Sequence, residues 1–210
     1  METKVFKITD PSDRQIDSAA EIIKNGGLVA IPTDTVYGLA ADPMNDAAVR
    51  SIYTAKGRPE NKPIIILVSS AVQAERFAHI TPEAEKLFKA FWPGALTVIL
   101  KKKPCVSAEL TSGTETIGLR CPGSEIARAV IAAAGGGVGA PSANISGCDA
   151  AKDAREVLDQ LGGRIDAVVD GGECSIGTAS TIIDLTREQS VILRQGVITE
   201  AEILAVMEEK

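Results

Sequence analysis

Apolar residues fall into short blocks along the chain, and their spacing switches between helical and strand periods. Ile16, Ala19, Ala20 and Ile23 recur at helical spacing over 13–25, and Gly26-Gly27 supplies the stop. The block 28–31 then reads as a short strand broken by Pro32. A second helix is predicted from Asp46, taken as its N-cap, to about Gly57, with Val49, Ile52 and Tyr53 on the inner face. The run 64–69 is apolar without alternation, the pattern of a strand covered on both faces. Helices are predicted over 71–77 and 82–91, and Trp92-Pro93-Gly94 turns the chain into a strand at 95–100. A strand at 116–120 leads to a helix at 124–134, closed by Gly135-Gly136-Gly137, and to a brief buried strand at 138–140. A helix at 151–161 precedes strands at 167–170, 181–185 and 191–194. The last helix starts at Thr199, where Glu202 completes a Thr-x-x-Glu capping box.

Strands and helices intermix over the whole length, which predicts an α/β protein with helices packed on a large, twisted, mixed β-sheet. The expected organisation is a single domain over 1–210, with its core at about 13–200 and no second C-terminal domain. The 210 residues are 45% hydrophobic, enough for a substantial core, and only 3% aromatic, so that core is expected to be Ile, Val, Leu and Ala. No apolar run is long enough to cross a bilayer, and the start, METKVFKITD, lacks a hydrophobic signal segment. Cys105, Cys121, Cys148 and Cys174 are widely separated and form no CxxC pair. Together these predict a cytoplasmic protein with ordinary reduced thiols and no zinc site. The net charge of -6 argues against a protein that coats nucleic acid by charge alone. Lys101-Lys102-Lys103 is a local basic run, read either as a solvated strand end or as an RNA contact.

Polar chemistry concentrates in four places. Pro32 to Leu39 reads PTDTVYGL directly after an apolar strand, where α/β sheets bind ligands. Thr33, Asp34 and Thr35 there suit a polar ligand, or a turn in which they bond their own backbone. Lys56-Gly57-Arg58-Pro59 puts a compact ammonium and a planar guanidinium two residues apart, able to converge on a triphosphate or to stabilise a helix C-terminus. No Gly-x-x-x-x-Gly-Lys-Ser/Thr loop is present, which excludes a P-loop. In Ala140-Pro141-Ser142-Ala143-Asn144, the hydroxyl and amide alternate after a buried strand and suit phosphate, ribose, an adenine edge or a loop cap. Arg194, beside Gln195-Gly196, ends an apolar strand; Arg120 ends another, and Ser180-Thr181 opens a third. His79, the only histidine, lies outside every motif.

In this order the motifs resemble the YrdC/Sua5 family, the threonylcarbamoyl-AMP synthases. The matching segments are PTDTVYGL, KGRP at Lys56 to Pro59, FWPGALTVIL at Phe91 to Leu100, GLRCP at Gly118 to Pro122, APSANISG, STIIDL and ILRQG at Ile192 to Gly196. They cover about 15–200, nearly the whole chain. The resemblance implies a twisted α/β domain with a concave, positively charged cleft. It implies that Lys56 and Arg58 are catalytic, and that Lys56, Arg58, Thr116, Ser142, Asn144 and Arg194 bind ATP and the adenylate. It assigns Thr35, Arg120, Ala140, Pro141 and Ser180 to L-threonine. Mg2+ is expected with ATP rather than on protein ligands, with only a loose role for Asp34. The implied reaction joins L-threonine, bicarbonate and ATP into threonylcarbamoyl-AMP and pyrophosphate, for a transferase that modifies adenosine 37 of tRNA. Direct contact with tRNA is left open. A carbamoyl-adenylate-forming relative and a noncatalytic RNA-binding module are the alternatives.

Overall fold

The structure, a computed structural model, describes residues 2–208. The first half of the chain runs β1 (Lys4–Lys7), α1 (Gln15–Lys24), β2 (Val29–Ile31), β3 (Gly38–Ala40), α2 (Asp46–Lys56), β4 (Ile66–Val68), α3 (Ala71–Ala74), α4 (Pro82–Phe91) and β5 (Leu96–Lys101). The second half runs α5 (Ala108–Thr111), β6 (Thr116–Arg120), α6 (Glu125–Ala133), β7 (Gly137–Gly139), α7 (Ala154–Leu161), β8 (Ala167–Asp170), β9 (Thr181–Asp184), β10 (Val191–Arg194) and α8 (Glu200–Glu208). Every predicted helix and strand is present, most within a residue or two of its expected ends.

The large mixed sheet expected from the sequence is divided in two. A four-stranded sheet has the order β1-β8-β2-β3, and a six-stranded sheet has the order β10-β9-β5-β6-β4-β7. Both mix parallel and antiparallel pairs; β5, for example, lies antiparallel to β6 and parallel to β9. The sheets meet where β3 approaches β7, through isolated bridges at Ala41–Gly139 and Gly38–Ser142. Pro141 explains why no continuous ladder forms there. Its carbonyl accepts from the Leu39 amide at 2.8 Å, but it has no N–H to return. The seam therefore leaves residues 140–144 as an extended loop between the two sheets.

The period-two pattern decides which side chains reach that seam. In the six-stranded sheet, Ile66, Val68, Leu96, Val98, Leu100, Ile117, Leu119 and Ile183 point into the larger hydrophobic core. Their alternates Ile65, Leu67, Arg120 and Ile182 line a cleft on the opposite face. Gly118 keeps the floor of this face flat, since a Cβ there would stand 2.8 Å from Ile65 and 3.3 Å from the Thr97 methyl. Strands β2 and β4 lack alternation because both of their faces are buried. Ala30 and Ile66 belong to the larger core, whereas Val29, Ile31 and Leu67 belong to a second core that includes residues of α1 and α6.

Helix ends follow side-chain chemistry. Asn45, not Asp46, caps α2: its side chain accepts from the amides of Ala47 and Ala48, while Asp46 occupies the first helical turn. Gly57 ends that helix in the left-handed region at φ 58°, and this turn sets Arg58 off the helix axis. The Thr199–Glu202 capping box forms as predicted. Replacing Asn45 by Ala should lower stability by about 1 kcal/mol, read as a shift in the denaturation midpoint. The sequence pattern missed β1, β3 and α5, each of three or four residues. Strand β1 exists by pairing with β8, more than 160 residues away, and no local periodicity marks it.

Candidate active site

Three strand ends and two loops meet at the seam. Arg120, the last residue of β6, is 4% exposed. Its Nη2 donates to Asp34 Oδ1 at 2.5 Å, its Nη1 to Thr35 Oγ1 at 2.6 Å, and its Nε to the Gly94 carbonyl at 2.9 Å. Asp34 Oδ1 also accepts from the Gly123 amide at 2.8 Å. Burial lowers the pKa of the guanidinium, and the Asp34 carboxylate opposes this. Three of its five N–H groups are engaged, which leaves two for a ligand. Asp34 Oδ1 is thus engaged in orienting Arg120.

Thr35 sits between Thr33 and Arg120. The Thr33 hydroxyl donates to the Val36 carbonyl at 2.6 Å and accepts from the amides of Thr35 and Val36 at 3.2 and 3.3 Å, so its proton and both lone pairs are engaged apart from its 3.1 Å contact with Thr35. The Thr35 oxygen accepts from Arg120 Nη1 at 2.6 Å, and the residue lines the cleft.

Lys56, Ser142 and Asn144 are brought together, but they face one another. Lys56 is 1% exposed, and its ammonium donates to the Ser142 carbonyl, to the Asn144 carbonyl at 2.5 Å and to Asn144 Oδ1 at 3.4 Å. Ser142 Oγ donates to the same amide oxygen at 2.5 Å. Asn144 Nδ2 donates to the carbonyls of Ile145 and Cys148, both at 2.8 Å. Burial first, and then the Arg58 guanidinium, push the Lys56 ammonium down to about 8. Lys56 is thus the cation around which the 142–148 loop closes.

Arg58 and Arg194 supply charge at the surface of the cleft. Arg58 uses Nε and Nη2 on the carbonyls of Lys62 and Pro63. Arg194 uses Nε on the Ser180 carbonyl and Nη2 on the Ser180 hydroxyl, at 3.0 and 3.2 Å. Each of these arginines has three N–H groups left over. With Arg120, Thr35, Ser142, Asn144, Ala140, Pro141 and Ser180 they line a cavity of about 350 Å³ that has no carboxylate in its wall. A more open hollow of about 620 Å³ adjoins it across Val36, Ala150 and Ala179, lined by Asp149, Lys152, Glu156 and Asp159.

Thr116 does not join this lining. It shares the sheet face with Gly118 and Arg120 but sits four residues up β6, about 13 Å from Arg120 at strand rise. It lines a separate depression with His79, Lys101, Lys102, Glu115 and Thr186. The thiols of Cys121 and Cys174 are buried, which raises them to about 11 and about 12, and keeps them protonated. All four cysteines are free. Two contributors escaped the sequence reading. Tyr37 is buried and donates to the Gly172 carbonyl at 2.8 Å, tying the 33–38 loop to the end of β8. Thr97 is a buried hydroxyl behind Ser180, and its one legible signal was a polar residue inside the apolar run of β5.

Fold and lining together define an α/β protein with a cleft of basic and hydroxyl side chains at the seam of two mixed sheets. The family model Sua5_yciO_yrdC, described as Telomere recombination, matches residues 21–196, and the chain belongs to that family. The chain is 44% identical over 196 residues to a Pyrococcus abyssi protein named threonylcarbamoyl-AMP synthase, across 93% of this chain and 58% of the relative. A Bacillus subtilis protein of the same name is 43% identical over 198 residues, across 93% and 57%. The crystal structure of P. abyssi Sua5 complexed with L-threonine has a TM-score of 0.95 at 42% identity, covering 99% of this chain and 62% of that one. The chain thus spans a little over half the length of these relatives. Among the described residues, no helix is long and apolar enough to cross a membrane.

Proposed function

We propose that this protein forms threonylcarbamoyl-AMP from L-threonine, bicarbonate and ATP, releasing pyrophosphate. The observation that carries this reading is the convergence of Arg58, Arg120 and Arg194 with the Thr35 and Ser180 hydroxyls on one cleft free of carboxylates. The names of the P. abyssi and B. subtilis relatives, and the threonine held by P. abyssi Sua5, support it.

Threonine's amine and bicarbonate give a carbamate and water. The carbamate oxygen attacks the α-phosphorus of ATP, the new P–O bond forms, and the bond to the bridging oxygen breaks as pyrophosphate leaves. Both reactants are anionic, so the protein's first task is to neutralise them. Arg58 and Arg194, with free N–H groups at the cleft, serve the polyphosphate; Arg120, with its two remaining N–H groups, takes the threonine carboxylate. The Thr35 hydroxyl, at the same cleft, suits the threonine side-chain hydroxyl. Lys56 and Asn144 hold the loop that presents Ser142, and the buried ammonium adds positive potential beneath the phosphates. The second task is to keep a short-lived carbamate beside its target and away from bulk water, which a narrow cleft serves. Magnesium enters as part of the substrate, on ATP oxygens. The product then passes to a transferase acting on adenosine 37 of tRNA, in the cytoplasm.

Mass spectrometry of a reaction containing ATP, Mg2+, bicarbonate and threonine tests the proposal, with threonylcarbamoyl-AMP as the expected product. Pyrophosphate release that depended instead on carbamoyl phosphate would assign the cleft to carbamoyl-adenylate formation. Tight, salt-sensitive RNA binding without ATP turnover would make it an RNA-binding module. A site that hydrogen-bonds the threonine hydroxyl should reject valine more strongly than serine, which lacks only a methyl. Valine turning over as well as threonine in a competition assay would refute that pocket.

A further inference from the structure

We infer that Thr97 is a positioning residue for amino-acid recognition, acting through Ser180; the inference rests on the proposed function. Thr97 is the second residue of β5, is fully buried, and places its hydroxyl 2.8 Å from Ser180 Oγ. Among the described residues, that oxygen is the only hydrogen-bond partner of the Thr97 hydroxyl. A hydroxyl has one proton, and a buried donor left without an acceptor is costly. If Ser180 were the donor, the Thr97 proton would have nowhere to go inside the protein. Thr97 is therefore the donor.

The consequence falls on Ser180. Its oxygen accepts from Thr97 at 2.8 Å and from Arg194 Nη2 at 3.2 Å, which fills both lone pairs. Its own proton is left free, and Ser180 lines the cleft. Ser180 thus faces the ligand as a donor. A donor at Ser180, in the cleft that Arg120 also lines, suits an anionic oxygen such as the amino-acid carboxylate.

The two halves of the Thr97 side chain allow a clean test. Its methyl packs near Gly118, 3.3 Å from where a Cβ would be, and its hydroxyl serves Ser180. Thr97→Val keeps the shape and removes the hydroxyl; Thr97→Ser keeps the hydroxyl and removes the methyl. Steady-state pyrophosphate release is measured for wild type, T97V, T97S, S180A and the T97V/S180A double variant. T97V should raise KM for L-threonine about fivefold, the size of one lost hydrogen bond, with kcat and KM for ATP little changed. T97S should stay within about twofold of wild type on the same principle, even if its Tm falls. In the S180A background, T97V should add nothing. An unchanged threonine KM in T97V, a T97S defect equal to that of T97V, or effects that multiply in the double variant would each overturn the inference. A wild type that releases no pyrophosphate with threonine and bicarbonate would overturn the proposed function and this inference with it.

Discussion

Lys56→Ala is expected to remove nearly all synthesis of threonylcarbamoyl-AMP and to destabilise the fold at the same time. The ammonium lies between the Ser142 carbonyl, the Asn144 carbonyl and Asn144 Oδ1, and it is 1% exposed. Its removal leaves the Asn144 carbonyl without a donor in a buried site, at a cost of about 1–3 kcal/mol. The loop then loses the cation that holds it closed, and the phosphates lose a buried positive charge. A fall in kcat/KM of about 10²- to 10³-fold is expected, the range seen when a preorganised electrostatic group is deleted. Lys56→Arg should not rescue it, because a planar fork does not fit where a compact ammonium serves three oxygens. Urea unfolding and pyrophosphate release, measured on the same samples, separate the two losses. A Lys56→Ala enzyme that kept more than about a tenth of wild-type activity would contradict that range.

Arg120→Ala should produce a comparable loss with a different signature. Asp34 and Arg120 form a pair whose side chains are 11% and 5% exposed, at 2.5 Å. Removing only the cation strands a largely buried carboxylate, at a cost of about 3–5 kcal/mol. Adding Asp34→Ala should recover much of that stability, since the orphaned charge goes with it. It should recover no activity, because the group proposed to receive the threonine carboxylate is still missing. Chemical denaturation of both single variants and the double variant, alongside threonine-dependent pyrophosphate release, reads out the contrast. A double variant that regained turnover would show Arg120 to be a structural residue only.

The contrast between Arg120 and Arg58 shows how much of the site the sequence made legible. Arg120 emerges on the cleft face because Ile117 and Leu119 must face the core, and period two then carries residue 120 to the other side. That step needs no knowledge of the fold. The same reasoning places Thr116 on the same face, yet Thr116 lines another depression, because the position of a site along a strand depends on what the loops cover. Arg58 was placed by Gly57, whose left-handed turn could be expected of a glycine at a helix end. Lys56, one residue before that turn, belongs to the last turn of the helix and points inward instead. The two cations of a Lys-x-Arg motif thus have different jobs: one is buried under the loop and the other borders the cleft.

The sequence by itself determined the order of the strands and helices other than β1, β3 and α5, the cores that their apolar periods build, and the set of residue types available for chemistry. Helix stops at glycine, the capping box at Thr199 and the covered strands at β2 and β4 all follow from interactions within a few residues or from burial alone. Only the tertiary structure decided which polar groups meet. Arg120 finds Thr35 across 85 residues and Asp34 across 86, and Lys56 finds Asn144 across 88. Meetings of this kind, such as that of Thr97 with Ser180, decide which donors the cleft presents, since a hydroxyl becomes donor or acceptor according to the partner behind it. Local pattern carries no record of that partner; the packing of the two sheets against each other supplies it.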